Sequence, residues 1–182
     1  MLKRGILKMK KAVFLDRDGV LNEVLTKRVK FVNHPRQLFL LDGAAEAVAE
    51  LTEAGYPVFI VTNQGGIGLG FMTEEKLEKV HKRLTSMLKE RGGKVIDIAY
   101  CPHKPDAGCG CRKPEPGMLA ALAEKHGINL TESVMVGDHE RDIEAGKAAG
   151  CKTVFIGTGL TKADASAPSL AAAVKPILSL LE

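Results

Sequence analysis

The 182-residue chain contains no tryptophan, and aromatic residues make up only 4% of it. A surface that reads single-stranded nucleic acid by stacking needs aromatic platforms, so this scarcity weighs against one. No apolar run reaches the roughly 20 residues of a membrane-spanning helix, and the N-terminus has no signal-peptide hydrophobic region. Cysteine is scarce too. Of the four, three fall with a histidine between Cys101 and Cys111. That crowding argues against a disulfide framework and for metal binding in a reducing compartment, so a cytoplasmic protein is expected.

What is present is ordinary for a soluble globular protein: 45% apolar and 26% charged residues. The length suits one core, hence a single domain over residues 1–182, expected as a monomer. The net charge of +4 is mild. Much of it lies in Lys3, Arg4, Lys8, Lys10 and Lys11, read as a solvated basic arm over residues 1–11 rather than a nucleic-acid surface.

The chain is organised around Ala12-Val13-Phe14-Leu15, a buried strand that stops at Asp16-Arg17-Asp18-Gly19. If strand geometry persists past Leu15, Asp16 and Asp18 point to the same side. Two like charges so close are costly unless a cation sits between them. Taken alone, a strand followed by an acidic turn explains this stretch equally well.

Residues 22–37 lack periodicity and read as a loop or small flap ending at Asn33-His34-Pro35. A helix follows through Ala47, Val48 and Leu51, with Gly55 suited to its C′ position. Val58–Val61 is a second strand, ending at Thr62-Asn63-Gln64-Gly65-Gly66. Thr73 caps a helix striped with Leu77, Val80, Leu84, Met87 and Leu88. Val95–Tyr100 is the third strand, and it runs into the Cys/His cluster. Pro116 opens a helix that ends near Gly127. Val134–Val136 forms a fourth strand before Gly137-Asp138 and a helix over Glu140–Ala149. Lys152–Ile156 is the fifth, and the alanine-rich tail reads as helical on either side of Pro176.

Strands alternating with helices imply a three-layer, Rossmann-like α/β fold, a parallel sheet with helices on both faces. In such sheets ligands bind beyond the carboxyl ends of the strands. Asp16 and Asp18, Thr62-Asn63-Gln64, the Cys/His cluster and Asp138 all follow strands, so they should converge on one edge. There, the Thr62 hydroxyl and the open backbone of Gly65 and Gly66 suit a tetrahedral oxyanion such as phosphate. Lys113, fixed by the following Pro114, could balance carboxylates or a transferring phosphoryl group. Asp138 could complete a hard-oxygen site for Mg²⁺ with Asp16 and Asp18. Asp142, one helical turn later, is better placed to hold Lys113 or cap a helix. Each signal is modest alone, and a polar turn or solvated lysine would explain some of them. Their order after successive strands carries the weight.

Cys101, His103, Cys109 and Cys111 offer three thiolates and an imidazole, the set of a closed tetrahedral zinc site. Cys151 reads as a core residue.

D-R-D-G-V, T-N-Q, R-K-P and G-D-x-x-x-D, spread from Val13 to Gly150, together resemble the four motifs of the haloacid dehalogenase superfamily of phosphatases. The resemblance implies a phosphomonoester hydrolase in which Asp16 is the nucleophile, forming an aspartyl-phosphate. Asp18 would be the general acid and then the base. Thr62 and Lys113 would hold phosphoryl oxygens, and Asn63, Gln64, Gly65 and Arg112 would line the substrate. Mg²⁺ would take the Asp16 carboxylate, the Asp18 backbone carbonyl and Asp138.

The C-P-H-x-P…C-x-C-R-K-P loop is similar to the zinc loop of the heptose-bisphosphate and histidinol-phosphate phosphatases. There Zn²⁺ would position Arg112 and Lys113 rather than react. D-R-D-G-V-L-N, T-N-Q-G-G-I-G and R-K-P-x-P-G-M favour the heptose branch. Three features depart from it: Asn22–Lys27 runs on with an apparent insertion, His139 replaces a usual lysine, and the His103–Cys109 loop is short. The expected activity is therefore heptose 1,7-bisphosphate 7-phosphatase, with histidinol-phosphate phosphatase as the alternative. A nucleic-acid 3′-phosphatase and an inactive zinc-stabilised binding module rank below both. No stretch offers room for a large cap, so the site should be roofed only by the flap and the zinc loop. That suits a small phosphorylated sugar or amino-alcohol.

Overall fold

The computed structural model describes residues 10–182. Six parallel strands form one sheet: β1 (Val13–Leu15), β2 (Val58–Asn63), β3 (Val95–Cys101), β4 (Val134–Gly137), β5 (Lys152–Ile156) and β6 (Ala165–Ala167). Their order is β3-β2-β1-β4-β5-β6. Leu15 lies opposite Ile60 on one side and Val136 on the other. The chain leaves β1 towards β2 and β3, then returns to β1's other side for β4. This reversal opens a crevice beyond the carboxyl end of β1, where Asp16 stands.

Burial on both faces explains why β1 is apolar throughout rather than alternating. Val13 and Leu15 join the core beneath α1 (Ala44–Glu53), α2 (Glu74–Lys89) and α5 (Leu170–Leu181). Phe14 faces the opposite layer, stacked on Phe59 at 5.3 Å, with Met118, Leu119 and Leu122 of α3 (Gly117–His126). The remaining helix, α4 (Glu140–Ala148), lies on that side against β4 and β5. Among the described residues no helix is long and apolar enough to cross a membrane.

The helix ends follow the sequence. The Thr73 hydroxyl accepts from Lys76 N, and Gly55 takes the left-handed backbone (φ 87°) that closes α1.

Four details differ from expectation. Strand geometry stops at Leu15, and the Arg17 carbonyl then accepts from the N–H groups of Leu21 (2.8 Å) and Asn22 (3.2 Å). A tight turn, not a continued strand, brings Asp18 to the cavity of Asp16. The sheet has a sixth strand, β6, whose Ala-Ser-Ala sequence carries little β-propensity. The tail is one helix running through Pro176. A proline there removes one backbone donor, but Leu170, Ala173, Val174, Ile177 and Leu181 anchor the helix in the core on both sides of it. Finally, the sequence predicts a basic arm extending to residue 11. Residues 1–9 lie outside the described residues, whereas Lys10 pairs with Ile128 and Lys11 Nζ donates to Leu181 O at 2.6 Å.

Residues 22–37 form a folded flap. Leu25 N donates to Lys30 O at 3.0 Å, Thr26 N donates to Val29 O at 2.9 Å, and a 3₁₀ turn covers Pro35–Gln37.

Candidate active site

A cavity of about 620 Å³ opens beyond the ends of β1 and β2, floored by Asp16, Asp18, Thr62 and Lys113. Val24, Leu25 and residues 30–33 of the flap border it with Pro105 and Arg112 of the cysteine-bearing loop. Among the described residues no separate cap covers it.

Lys113 is 2% exposed, and its ammonium lies 2.8 Å from Asp16 Oδ1, 2.8 Å from Asp142 Oδ1 and 2.8 Å from Val61 O. One cation is shared by two carboxylates. Burial works against the Lys113 charge, but Asp16 and Asp142 outweigh it and raise its pKa. Asp16 is left under-compensated. Burial pushes its pKa up to about 7; Lys113 opposes this, while Asp142 and Asp18 add to it. Asp142 also accepts from His139 N at 3.0 Å through Oδ2, so it both caps α4 and holds Lys113.

Asp18 is caged. Arg17 Nη2 donates to both of its oxygens, at 2.9 and 3.0 Å, and Arg17 Nε donates to Oδ1 at 3.2 Å. Asn22 Nδ2 donates to Oδ1 and Gln64 Nε2 to Oδ2, each at 2.9 Å. Burial disfavours the Asp18 charge, but Arg17 and these hydrogen bonds win and lower its pKa. Gln64 Nε2 also donates to Thr62 Oγ1 at 2.8 Å, leaving the hydroxyl proton of Thr62 available for an oxyanion.

Arg17, Asn22 and His81 were not singled out from the sequence. Asn22 and Arg17 sit in a loop and turn whose contacts no periodicity reveals. His81 had a usable signal, since Leu77, His81, Leu84 and Leu88 share one helical face, all buried.

Asn63 places Lys113. Its Oδ1 accepts from Lys113 N at 3.0 Å, and its Nδ2 donates to Lys113 O at 3.1 Å. Arg112 Nη1 donates to His103 O at 3.1 Å and lies so near Gly65 that a side chain there would meet the guanidinium. At Gly68 an added Cβ would come within 2.6 Å of Lys104 N, so the loop after β2 and the cysteine-bearing loop fit only because glycine intervenes.

In that loop Sγ of Cys101 lies 3.1 Å from Sγ of Cys111 and 3.6 Å from Sγ of Cys109, and all three thiols are unpaired. His103 Nδ1 lies 3.4 Å from Cys101 Sγ and 3.3 Å from Cys111 Sγ. Tetrahedral Zn–S bonds of about 2.3 Å require S–S edges of a little under about 4 Å, so these four groups fit zinc.

Asp138 follows β4 and packs against the turn after Asp18. A Cβ on Gly19 would fall 2.0 Å from Asp138 Oδ2, so only glycine admits this carboxylate. His139 Nδ1 lies 2.9 Å from Asp138 Oδ1, and that hydrogen bond raises the His139 pKa, with burial opposing. Four carboxylates, Asp16, Asp18, Asp138 and Asp142, thus face the cations Lys113 and Arg17. The surplus of hard anionic oxygens fits a divalent cation such as Mg²⁺.

Fold and site together define a class, the haloacid dehalogenase-like phosphatases, and residues 110–179 match the HAD-hydrolase-like family model. Within it, the chain belongs to the D-glycero-D-manno-heptose-1,7-bisphosphate 7-phosphatase family. It is 43% identical over 149 residues, 82% of this chain and 83% of the relative, to the D-glycero-beta-D-manno-heptose-1,7-bisphosphate 7-phosphatase of Pseudomonas putida. The alpha-heptose counterpart from Photorhabdus laumondii is 35% identical over 80% of this chain and 81% of its own. Among solved structures, the D,D-heptose 1,7-bisphosphate phosphatase of B. bronchiseptica, complexed with magnesium and phosphate, matches with a TM-score of 0.84 at 35% identity. That match covers 93% of this chain and 98% of the other.

Proposed function

We propose that the protein hydrolyses the 7-phosphate of D-glycero-D-manno-heptose 1,7-bisphosphate through an aspartyl-phosphate on Asp16. The observation that carries the chemistry is Asp16 itself. It is buried at the cavity floor, held by Lys113 through one oxygen and under-compensated in charge. The substrate assignment is supported by the named activity of relatives that align over four-fifths of the chain.

Asp16 attacks phosphorus as the bond to the sugar oxygen breaks, and Lys113 with the Thr62 hydroxyl holds the phosphoryl oxygens. Asp18, ionised at rest, takes up a proton when the negatively charged phosphoryl group enters, because a like charge raises its pKa. It gives that proton to the leaving oxygen. Ionised again, it draws a proton from the water that attacks the aspartyl-phosphate, and inorganic phosphate leaves. Asp16, the Asp18 backbone carbonyl and Asp138 would hold Mg²⁺, which would supply charge screening between carboxylate and phosphate. Cys101, His103, Cys109 and Cys111 would hold Zn²⁺, which fixes the loop that carries Arg112 and Lys113. Gln64 orients Asp18 and Thr62, Asn63 fixes Lys113, and Gly65 with Arg112 borders the substrate. The unpaired, crowded thiols suit a cytoplasmic setting.

The test is a kcat/KM panel with Mg²⁺, comparing both anomers of heptose 1,7-bisphosphate with histidinol phosphate and a 3′-phosphorylated oligonucleotide. One heptose anomer should lead by at least about tenfold, the scale of one or two lost hydrogen bonds. A lead for histidinol phosphate or the oligonucleotide would overturn the substrate assignment.

A further inference from the structure

Arg17 has no task in the chemistry just described, yet its side chain is almost wholly buried. Burying a guanidinium is expensive, and a pair between adjacent residues ties no distant parts of the fold together, so stability alone gives it little reason to be there. Its contacts run in two directions. One edge grips both oxygens of Asp18. On the other, Arg17 Nη1 lies 3.3 Å from Nε2 of His81, which is 64 residues further along the chain in α2.

Arginine only donates, so Nε2 of His81 is the acceptor and the ring proton is on Nδ1. Burial, with help from the Arg17 charge, pushes the His81 pKa down to about 3, so the ring stays neutral. It also packs against Tyr100 at the end of β3, with ring centroids 6.0 Å apart.

We propose that His81 and Arg17 are positioning residues that set the direction of the Asp18 carboxylate, so that α2 controls where the proton donor stands. The proposal rests on Asp18 being the general acid and base. His81 fixes the plane of the guanidinium, and the planar fork fixes both Asp18 oxygens in a way that a point charge would not. Asn22 and Gln64 complete the cage. Asp18 is then aimed at the cavity before substrate arrives, and the rate of proton transfer depends on a helix that does not touch substrate.

The test separates proton donation from the rest of catalysis by the leaving group. Single-turnover phosphorylation of the enzyme is measured with an alkyl phosphate, whose alkoxide needs a proton, and with p-nitrophenyl phosphate, whose phenolate leaves without one. His81→Phe keeps the ring volume but removes the acceptor. It should slow transfer from the alkyl ester by about tenfold to a hundredfold, part of the full worth of a general acid, and change KM and the aryl rate little. His81→Gln, which offers an amide oxygen, should recover most of the loss. Arg17→Lys, which leaves α2 intact and keeps the charge, should show the same alkyl-specific loss.

On the Asp18→Asn background His81→Phe should cost nothing more, because the group being positioned is gone. Equal losses for both esters, or additive losses in the double variant, would overturn the relay. Full turnover by Asp18→Asn alone would instead remove the acid/base reading on which the relay rests.

Discussion

Burial, only partly offset by the Lys113 ammonium that Asp16 shares with Asp142, sets the charge state of the proposed nucleophile Asp16. Two carboxylates cannot both be fully compensated by one cation, and burial magnifies the shortfall. A pH dependence follows. Without metal, Asp16 keeps its proton up to about pH 7 in the fold but only to about 3.8 in the unfolded chain. Between those values the folded state binds more protons through this group. Its contribution to stability is therefore complete below about pH 3.8 and lost as pH rises through about 7. Asp16→Asn removes that contribution at every pH. In chelator, the Tm of the wild type minus that of Asp16→Asn should fall as pH is raised from about 4 to about 7. A difference that is flat or rises over this range would contradict the shared-cation account. Asp16, Asp18, Thr62, Lys113 and Asp138 were legible as residues because each follows a strand directly or stands in a short motif. The cage around Asp18 was not, because Arg17 and His81 meet through space, and nothing in either local sequence marks the other.

Among the elements, two loops without regular structure do the positioning. The loop after β2 and the cysteine-bearing loop after β3 interlock through Gly65 and Gly68, and Asn63 clasps the backbone of Lys113 on both sides. Stripping zinc should therefore act on kcat by loosening Lys113 and Arg112. A loss of about tenfold to a hundredfold, restored by adding zinc back, is the scale of a lost supporting contact around a metal site. Metal analysis beside kcat measures it, and full activity in zinc-free protein would disconnect the loop from the reaction. Helix limits were readable where glycine or a capping hydroxyl marks them, as at Gly55 and Thr73. β6 was hidden because Ala165–Ala167 pairs only by adding to an existing sheet edge. α5 runs through Pro176 because its buried face overrides a local breaker.

At the scale of the whole molecule, the strand order decides what meets. β1 lies between β2 and β4, so Asp16, Thr62 and Asp138, spread over more than a hundred positions of chain, stand at the same edge. That convergence was foreseeable from alternating strands and helices, since parallel sheets gather the strand ends on one side. The flap and its place over the site were foreseeable; which of its residues line the cavity was not, because that depends on pairings such as Leu25 with Lys30. With no cap among the described residues, the proposed reaction depends on groups already in place at the floor. In the proposed mechanism Asp16 carries the phosphoryl group between the two half-reactions. Asp18→Asn should still accept phosphate on Asp16 but hydrolyse it slowly, because no base activates the water. Acid quenching of this variant with p-nitrophenyl phosphate labelled on phosphorus, whose phenolate leaves without a proton from Asp18, followed by peptide mapping, should find the label on the peptide containing Asp16 and none in Asp16→Asn. No label, or label on another residue, would contradict the account.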